Sequence, residues 1–186
     1  CSAALFLGLK ALNVEGGEVI TTSLTFVASN HAILQNDATP VFCDIDLETL
    51  NIDPKSIEAN ITPQTKAILV VHFAGHPCDM DAIGAIAQKH GLPVVEDAAH
   101  AVGARYKGKM IGGISHISCF SFDARKNLST CDGGMLTTND DDIAKRVKRL
   151  RWMGISKGTY DRFRKKGLEK RWEYEIDEVG YKCYMN

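Results

Sequence analysis

The chain has 186 residues, 45% of them hydrophobic and 24% charged, with a formal net charge of −1. That suits one globular domain with a sizeable core, and the balanced charge offers no bulk attraction to nucleic acid or to an anionic membrane surface. The longest apolar runs are strand-sized, far short of a spanning helix.

In chain order, Ser2 is expected to cap a helix from Ala3 to about Asn13, with Leu5, Leu9 and Leu12 on one face and Ala4 and Gly8 allowing close packing. Glu18–Thr22 reads as a short strand. A helix from about Val27 to Gln35 follows, then a strand over Thr39–Cys43. Asp53-Pro54 has the form of an N-cap and first helical residue, opening a helix to about Asn60. Ala67–His72 is β-branched and apolar, as in a strand buried on both faces. Asp79 starts a helix that ends near Gly91, and Pro93–Glu96 is another buried strand with Asp97 at its C-terminal end. Gly103–Gly113 is loop-like with room for a hairpin. Ile117–Phe122 and Met135–Thr138 are strands, and Asn139 or Asp140 caps a helix through Ile143, Val147 and Leu150. The densely charged stretch Lys157–Lys170 reads as a mobile loop or a solvated face. Strands alternating with helices at these spacings predict βαβ units and a largely parallel sheet.

The chain is organised around Cys119–Gly134, CFSFDARKNLSTCDGG. It begins as a buried strand, breaks into a polar turn holding Lys126, and ends on Gly133-Gly134, which permits a tight turn. A lysine at the C-terminal end of a strand in such a fold sits where ligands bind, and its amine can form a Schiff base with an aldehyde. Asp97 and Ser121 lie at other strand ends. The helix start at Ser2-Ala3 offers unpaired backbone N–H groups for a phosphate, and Phe26 is an aromatic just before a helix. Pyridoxal phosphate needs this set: an amine, a carboxylate for the ring nitrogen, donors for the phosphate and a flat apolar face.

Taken singly, each residue has a plainer reading. Lys126 is then a solvated lysine, Asp97 a turn cap, Ser121 a hydroxyl bonded to backbone, Phe26 a core aromatic and His100 a supporting histidine. His72, His76, Cys78 and Asp79 cluster as metal ligands do, but His-x-x-x-His-x-Cys in a loop is a poor zinc pattern, and no metal is expected. No GxGxxG follows the first strand, which counts against a nicotinamide dehydrogenase. Six cysteines without a CxxC pair point to free thiols and a reducing, cytoplasmic setting.

The segments CSAALFLGLKAL, GGEVITTSLTFVASNHAIL, ATPVFCDID, NIDPKSIEANITPQTKAILVVHFAGHPCDMDAI, HGLPVVEDAAHAVGARYKG, CFSFDARKN and DGGMLTTND together resemble the DegT/DnrJ/StrS family of pyridoxal-phosphate sugar aminotransferases. They run in the family's order along nearly the whole chain. The resemblance implies the fold-type I aminotransferase large domain, a three-layer α/β/α arrangement around a mostly parallel sheet. It implies that residues 1–186 are an incomplete large domain, with a segment before it and a small domain after it. By motif position, Lys126 matches the lysine that holds the cofactor as an imine and later carries a proton. Asp97 matches the partner of the pyridine nitrogen, Phe26 the aromatic stacked on the ring, Ser2 and Ala3 the phosphate seat, and Ser121 the phosphate-binding serine. His100 matches the position beside the ring's phenolic oxygen. In GYKCYMN, Lys182 stands where many members have an asparagine that contacts the phosphate of the neighbouring subunit.

The implied activity is amino transfer from an amino acid, with glutamate the expected donor, to a nucleotide-linked keto sugar, in a homodimer with shared sites. A cyclitol ketone as acceptor and a non-catalytic cofactor-binding or regulatory role stay open as alternatives. Lys126 counts against the dehydratase branch, which carries histidine there. Two departures from the pattern stand out: Cys131 for the usual glycine, and Asp123 for a commoner His or Tyr.

Overall fold

The computed structural model of the chain describes residues 1–156 and 175–184. Its elements are α1 (Ser2–Ala11), β1 (Glu18–Thr22), α2 (Ala28–Leu34), β2 (Thr39–Cys43), α3 (Pro54–Asn60), β3 (Thr65–Val71), α4 (Met80–His90), β4 (Val94–Asp97), β5 (Arg105–Tyr106), β6 (Lys109–Met110), β7 (Ile117–Ser121), β8 (Gly134–Thr137) and α5 (Asp141–Leu150). Six strands form one sheet in the order β2-β1-β3-β4-β7-β8. All neighbours are parallel except β7 and β8, which run antiparallel.

Alternation along the strands builds the two sides of the core. Val19, Ala67, Leu69, Val95, Ile117 and Cys119 pack with Leu5 and Leu9 of α1 and Ala32 and Ile33 of α2. Ile20, Ile68, Val70 and Val94 point the other way, onto Ile57 of α3 and Met80, Ile83 and Ala87 of α4. Helices therefore cover both faces, which is the expected α/β/α sandwich. Leu7 and Ala11 on the far side of α1 receive Val147 and Leu150 of α5. Gly8 lets α1 lie close on the sheet: a Cβ there would stand 3.2 Å from the Ile117 side chain and 3.4 Å from that of Leu136.

The helix ends follow local chemistry. Asp53 and Asp79 cap α3 and α4 through bonds from Lys55 N (2.9 Å) and Ala82 N (3.1 Å), and Gly91 closes α4 in the left-handed conformation. Of the two caps expected for α5, Asp140 serves, accepting from Asp142 N and Ile143 N. At α1 the expectation fails. Ser2 is the first helical residue and Cys1 is the N-cap, with no side-chain capping bond. The helix starts one residue early because the Cys1 carbonyl already accepts from Leu5 N at 3.0 Å. The loop 103–113 contains the hairpin β5–β6, whose turn residues Lys107 and Gly108 both have positive φ, the pattern that suits a two-residue hairpin. The charged stretch Lys157–Lys170 lies outside the described residues. Among the described residues no helix is long and apolar enough to cross a membrane.

Candidate active site

The C-terminal ends of β4 and β7 and the start of α1 meet at one place. Asp97 closes β4 and is only 6% exposed. Its Oδ2 accepts from Ser29 Oγ of α2 at 2.6 Å, and its Oδ1 accepts from Ala99 N at 3.1 Å. Cys1 stands over the same carboxylate, its Sγ 3.7 Å from Oδ1 and 3.4 Å from the Cys119 carbonyl. Gly134, opening β8, backs directly onto this helix start: a Cβ there would lie 2.7 Å from the Phe120 carbonyl and 2.8 Å from Cys1 N. The first intrahelical bond of α1 is donated by Leu5, so the N–H groups of Ser2, Ala3 and Ala4 have no partner within the helix. Ser2 and Ala3 are both exposed.

Beyond β7 the chain turns on Asp123. Its side chain accepts from Arg125 N (3.0 Å) and Arg125 Nε (3.2 Å), and its carbonyl accepts from Lys126 N (2.9 Å). The Arg125 backbone N–H, followed by its guanidinium, holds the Asp123 carboxyl below the ordinary carboxylate range. Asp123 thus shapes the turn that presents Lys126. Lys126 Nζ lies 2.8 Å from His100 Nε2. A lysine ammonium only donates, so this contact makes Nε2 the acceptor and leaves the neutral ring's proton on Nδ1. His100 follows Asp97 by three residues in the turn after β4. Gly75 (φ +85°) presses against its backbone, and a Cβ there would sit 2.6 Å from the His100 carbonyl. Ser121 Oγ, buried at the end of β7, accepts from Asp123 N at 3.4 Å. Phe26 is 73% exposed, so the reading of it as core is excluded and an open aromatic face remains. Cys131 takes a left-handed backbone (φ +68°), the conformation that favours glycine at this position.

The structure thus joins Asp97 to Ser29 and Lys126 to His100, and links Phe26 to the first pair through Ser29. Lys182 is not brought to them. It forms an antiparallel bridge with Trp152, and its Nζ lies 5.7 Å from the Tyr184 ring centroid. A contact across subunits requires a second chain.

Three participants were not singled out from the sequence: Ser29, Thr25 and Glu96. Glu96 is fully buried on the opposite face of β4 from Asp97. It accepts from His72 Nε2 (2.7 Å), Ser115 N (3.1 Å) and Ser118 Oγ (3.1 Å). Burial pushes its carboxyl up, but these bonds outweigh burial and leave it lower than usual. His72 Nδ1 accepts from Cys78 N at 3.1 Å, so the ring proton is on Nε2, aimed at Glu96. Three of the four residues that resembled metal ligands, His72, Cys78 and Asp79, are therefore otherwise engaged. Cys78 Sγ donates to the Val71 carbonyl and burial raises its thiol to about 12, while Asp79 caps α4. No cluster of potential metal ligands occurs among the described residues, and all six cysteines are free thiols. A glutamate inside the fully buried strand sequence VVED was the signal for this pair.

The family model for DegT/DnrJ/EryC1/StrS aminotransferases matches residues 1–186. The spore coat polysaccharide biosynthesis protein SpsC of Bacillus subtilis (strain 168) is 53% identical over 186 residues, covering 100% of this chain and 47% of that protein. An aminotransferase structure from Psychrobacter cryohalolentis superposes with a TM-score of 0.92 at 42% identity, over 99% of this chain and 46% of that one. DesI, solved in the presence of its TDP-sugar product, gives a TM-score of 0.76 at 40% identity, over 81% and 39% of the two chains. Spr1654 of Streptococcus pneumoniae in its PLP-form gives 0.86 at 33% identity, over 99% and 49%. The chain spans about half the length of the curated relatives it matches.

Proposed function

The chain belongs to the DegT/DnrJ/EryC1/StrS aminotransferase family, and we propose that it is the cofactor-binding large domain of a pyridoxal-phosphate-dependent sugar aminotransferase. The reaction moves an amino group from an amino acid, glutamate in this reading, to the ketone of a nucleotide-linked sugar. The observation that carries it is the set of groups at the C-terminal ends of β4 and β7: a lysine amine 2.8 Å from a histidine in the turns that follow them, and a buried aspartate carboxylate that closes β4. The TDP-sugar product on DesI and the PLP-form of Spr1654 support the substrate and cofactor classes.

The donor set fits the cofactor. The carboxylate of Asp97 suits a pyridine nitrogen, the free N–H groups of Ser2 and Ala3 with the Ser121 hydroxyl suit a phosphate, and the open Phe26 ring suits an aromatic face. Bound pyridoxal phosphate supplies an aldehyde for amine condensation and a ring that accepts an electron pair when a neighbouring C–H bond breaks. Lys126 would hold the aldehyde through its amine, and the same amine would serve as the base that accepts and returns a proton beside it. Asp97 would accept a hydrogen bond from the protonated ring nitrogen. His100 stands beside Lys126 and orients its amine. In this reading the chain acts as a homodimer in which Lys182 reaches the phosphate of the second subunit, and it works in the cytoplasm.

Product analysis of a reaction with glutamate, offering nucleotide keto sugars and cyclitol ketones side by side, tests this. The proposal expects an amino sugar nucleotide, and no product from the Lys126→Ala variant. An aminocyclitol as the sole product contradicts the substrate class. Cofactor binding without transfer to any acceptor contradicts the enzymatic reading, as does substantial turnover by Lys126→Ala.

A further inference from the structure

Ser29 is completely buried, and four bonds converge on it. Its Oγ lies 2.6 Å from Asp97 Oδ2, 2.7 Å from Thr25 Oγ1 and 3.2 Å from the Phe26 carbonyl, and its N–H donates to that same carbonyl at 3.1 Å. A buried helical serine is ordinarily satisfied by a carbonyl a turn back, and the Phe26 carbonyl stands ready for that. Here the hydroxyl instead reaches a carboxylate 68 residues away in sequence.

The proton count fixes the direction of the network. Ser29 has one hydroxyl proton and two acceptors competing for it. The carboxylate is nearer by 0.6 Å and charged, so it takes the proton. The Phe26 carbonyl loses nothing, because the Ser29 amide already serves it. With its proton committed, Ser29 Oγ is the acceptor toward Thr25, whose hydroxyl donates. The chain therefore runs Thr25 O–H to Ser29 O–H to Asp97 Oδ2. The same residue holds the turn that carries Phe26, through its amide. Ser29 thus joins a carboxylate, through its hydroxyl, to the turn that carries an aromatic residue, through its amide.

We propose that Ser29 is a positioning residue whose hydroxyl fixes Asp97 toward the ring nitrogen of the cofactor. This rests on the pyridoxal-phosphate reading above. The bond from the hydroxyl fixes the rotation of the carboxylate, so its remaining lone pairs keep one direction in which to hold a proton shared with the ring nitrogen. Thr25 holds the serine hydroxyl in that orientation and makes it the second positioning residue.

The test compares wild type with Ser29→Ala, Ser29→Thr and Ser29→Cys. Pyridoxal phosphate affinity is measured by absorbance titration. The protonation of the pyridine nitrogen is read from the NMR signal of 15N-labelled cofactor, and the cofactor-free proteins are melted as folding controls. Ser29→Ala is expected to bind about 10- to 100-fold more weakly, the range for losing a hydrogen bond to a charged group, with the nitrogen signal moved toward the unprotonated form. Ser29→Thr keeps the hydroxyl and is expected to restore both. Ser29→Cys, a near-isosteric but weak donor, falls between them and replaces the alanine variant should that one fail to fold. Wild-type affinity and an unmoved nitrogen signal in Ser29→Ala or Ser29→Cys overturn the assignment of Ser29 while leaving the cofactor reading intact. Wild type that binds no pyridoxal phosphate overturns the cofactor reading itself, and this proposal with it.

Discussion

Replacing Glu96 with glutamine changes one atom of a fully buried side chain and creates a donor conflict that cannot be relieved. The carboxylate has three donors: His72 Nε2–H, the Ser115 amide and the Ser118 hydroxyl. A glutamine oxygen can keep the last two, which share Oε1. Its NH₂ then faces the His72 Nε2–H at the position where Oε2 accepted at 2.7 Å. Moving the ring proton to Nδ1 does not help, because Nδ1 accepts from the Cys78 amide. Flipping the amide puts the NH₂ against Ser115 and Ser118 instead. At least one buried donor loses its partner, at a cost of about 1–3 kcal/mol. For a chain of this size that corresponds to a melting temperature lower by roughly 4–8 °C at the middle of the range. The loss also depends on pH. The folded-state carboxyl of Glu96 is depressed below its ordinary value of 4.5, so its contribution is fully present above that pH and fades as pH falls through the folded value. The gap between wild type and Glu96→Gln is therefore widest near neutral pH and narrows in acid, the other carboxylates cancelling in the difference. Thermal and urea melts of both proteins across the acid range check this. A variant melting within about 1 °C of wild type near neutral pH, or a gap that does not narrow in acid, refutes the reasoning.

Three further outcomes follow from the packing. Leu69→Ala empties a fully buried site at the middle of the central strand β3, and urea unfolding is expected to show a loss of about 2–5 kcal/mol. Gly75→Ala places a Cβ 2.6 Å from the His100 carbonyl at φ +85°. The left-handed backbone alone costs about 1–2 kcal/mol, and the contact displaces His100, so calorimetry should show a lower melting temperature and absorbance titration weaker pyridoxal phosphate binding. Phe26→Ala, at a residue 73% exposed, leaves the melting temperature unchanged. It weakens cofactor binding by roughly tenfold, the upper range for one lost aromatic contact.

The fold was legible because each element carries its own local signal. β2 and α3 have the expected bounds, Thr39–Cys43 and Pro54–Asn60, the latter because an Asp-Pro start leaves little choice. The apolar run of β3 announced a strand buried on both faces, and it is the centre of the sheet. The site was legible only where a residue has chemistry of its own. Lys126, Asp97 and His100 stood out as such, and two of them meet. Ser29 did not, because a serine inside a short helix gives no sign that its neighbour is a carboxylate on β4; the sheet brings them together. Nor did the His72–Glu96 pair, because His72 was grouped with its sequence neighbours His76 and Cys78 rather than with the strand beside it. The Ser2 cap failed because side-chain identity does not fix which residue first turns helical. Here Cys1 takes the cap and turns its thiol toward Asp97.

The most direct test is borohydride reduction of the protein after incubation with pyridoxal phosphate, followed by peptide mass mapping. The account predicts a single reduced pyridoxyl adduct, on Lys126. No adduct on the folded protein, or adducts spread over the surface lysines, contradicts it.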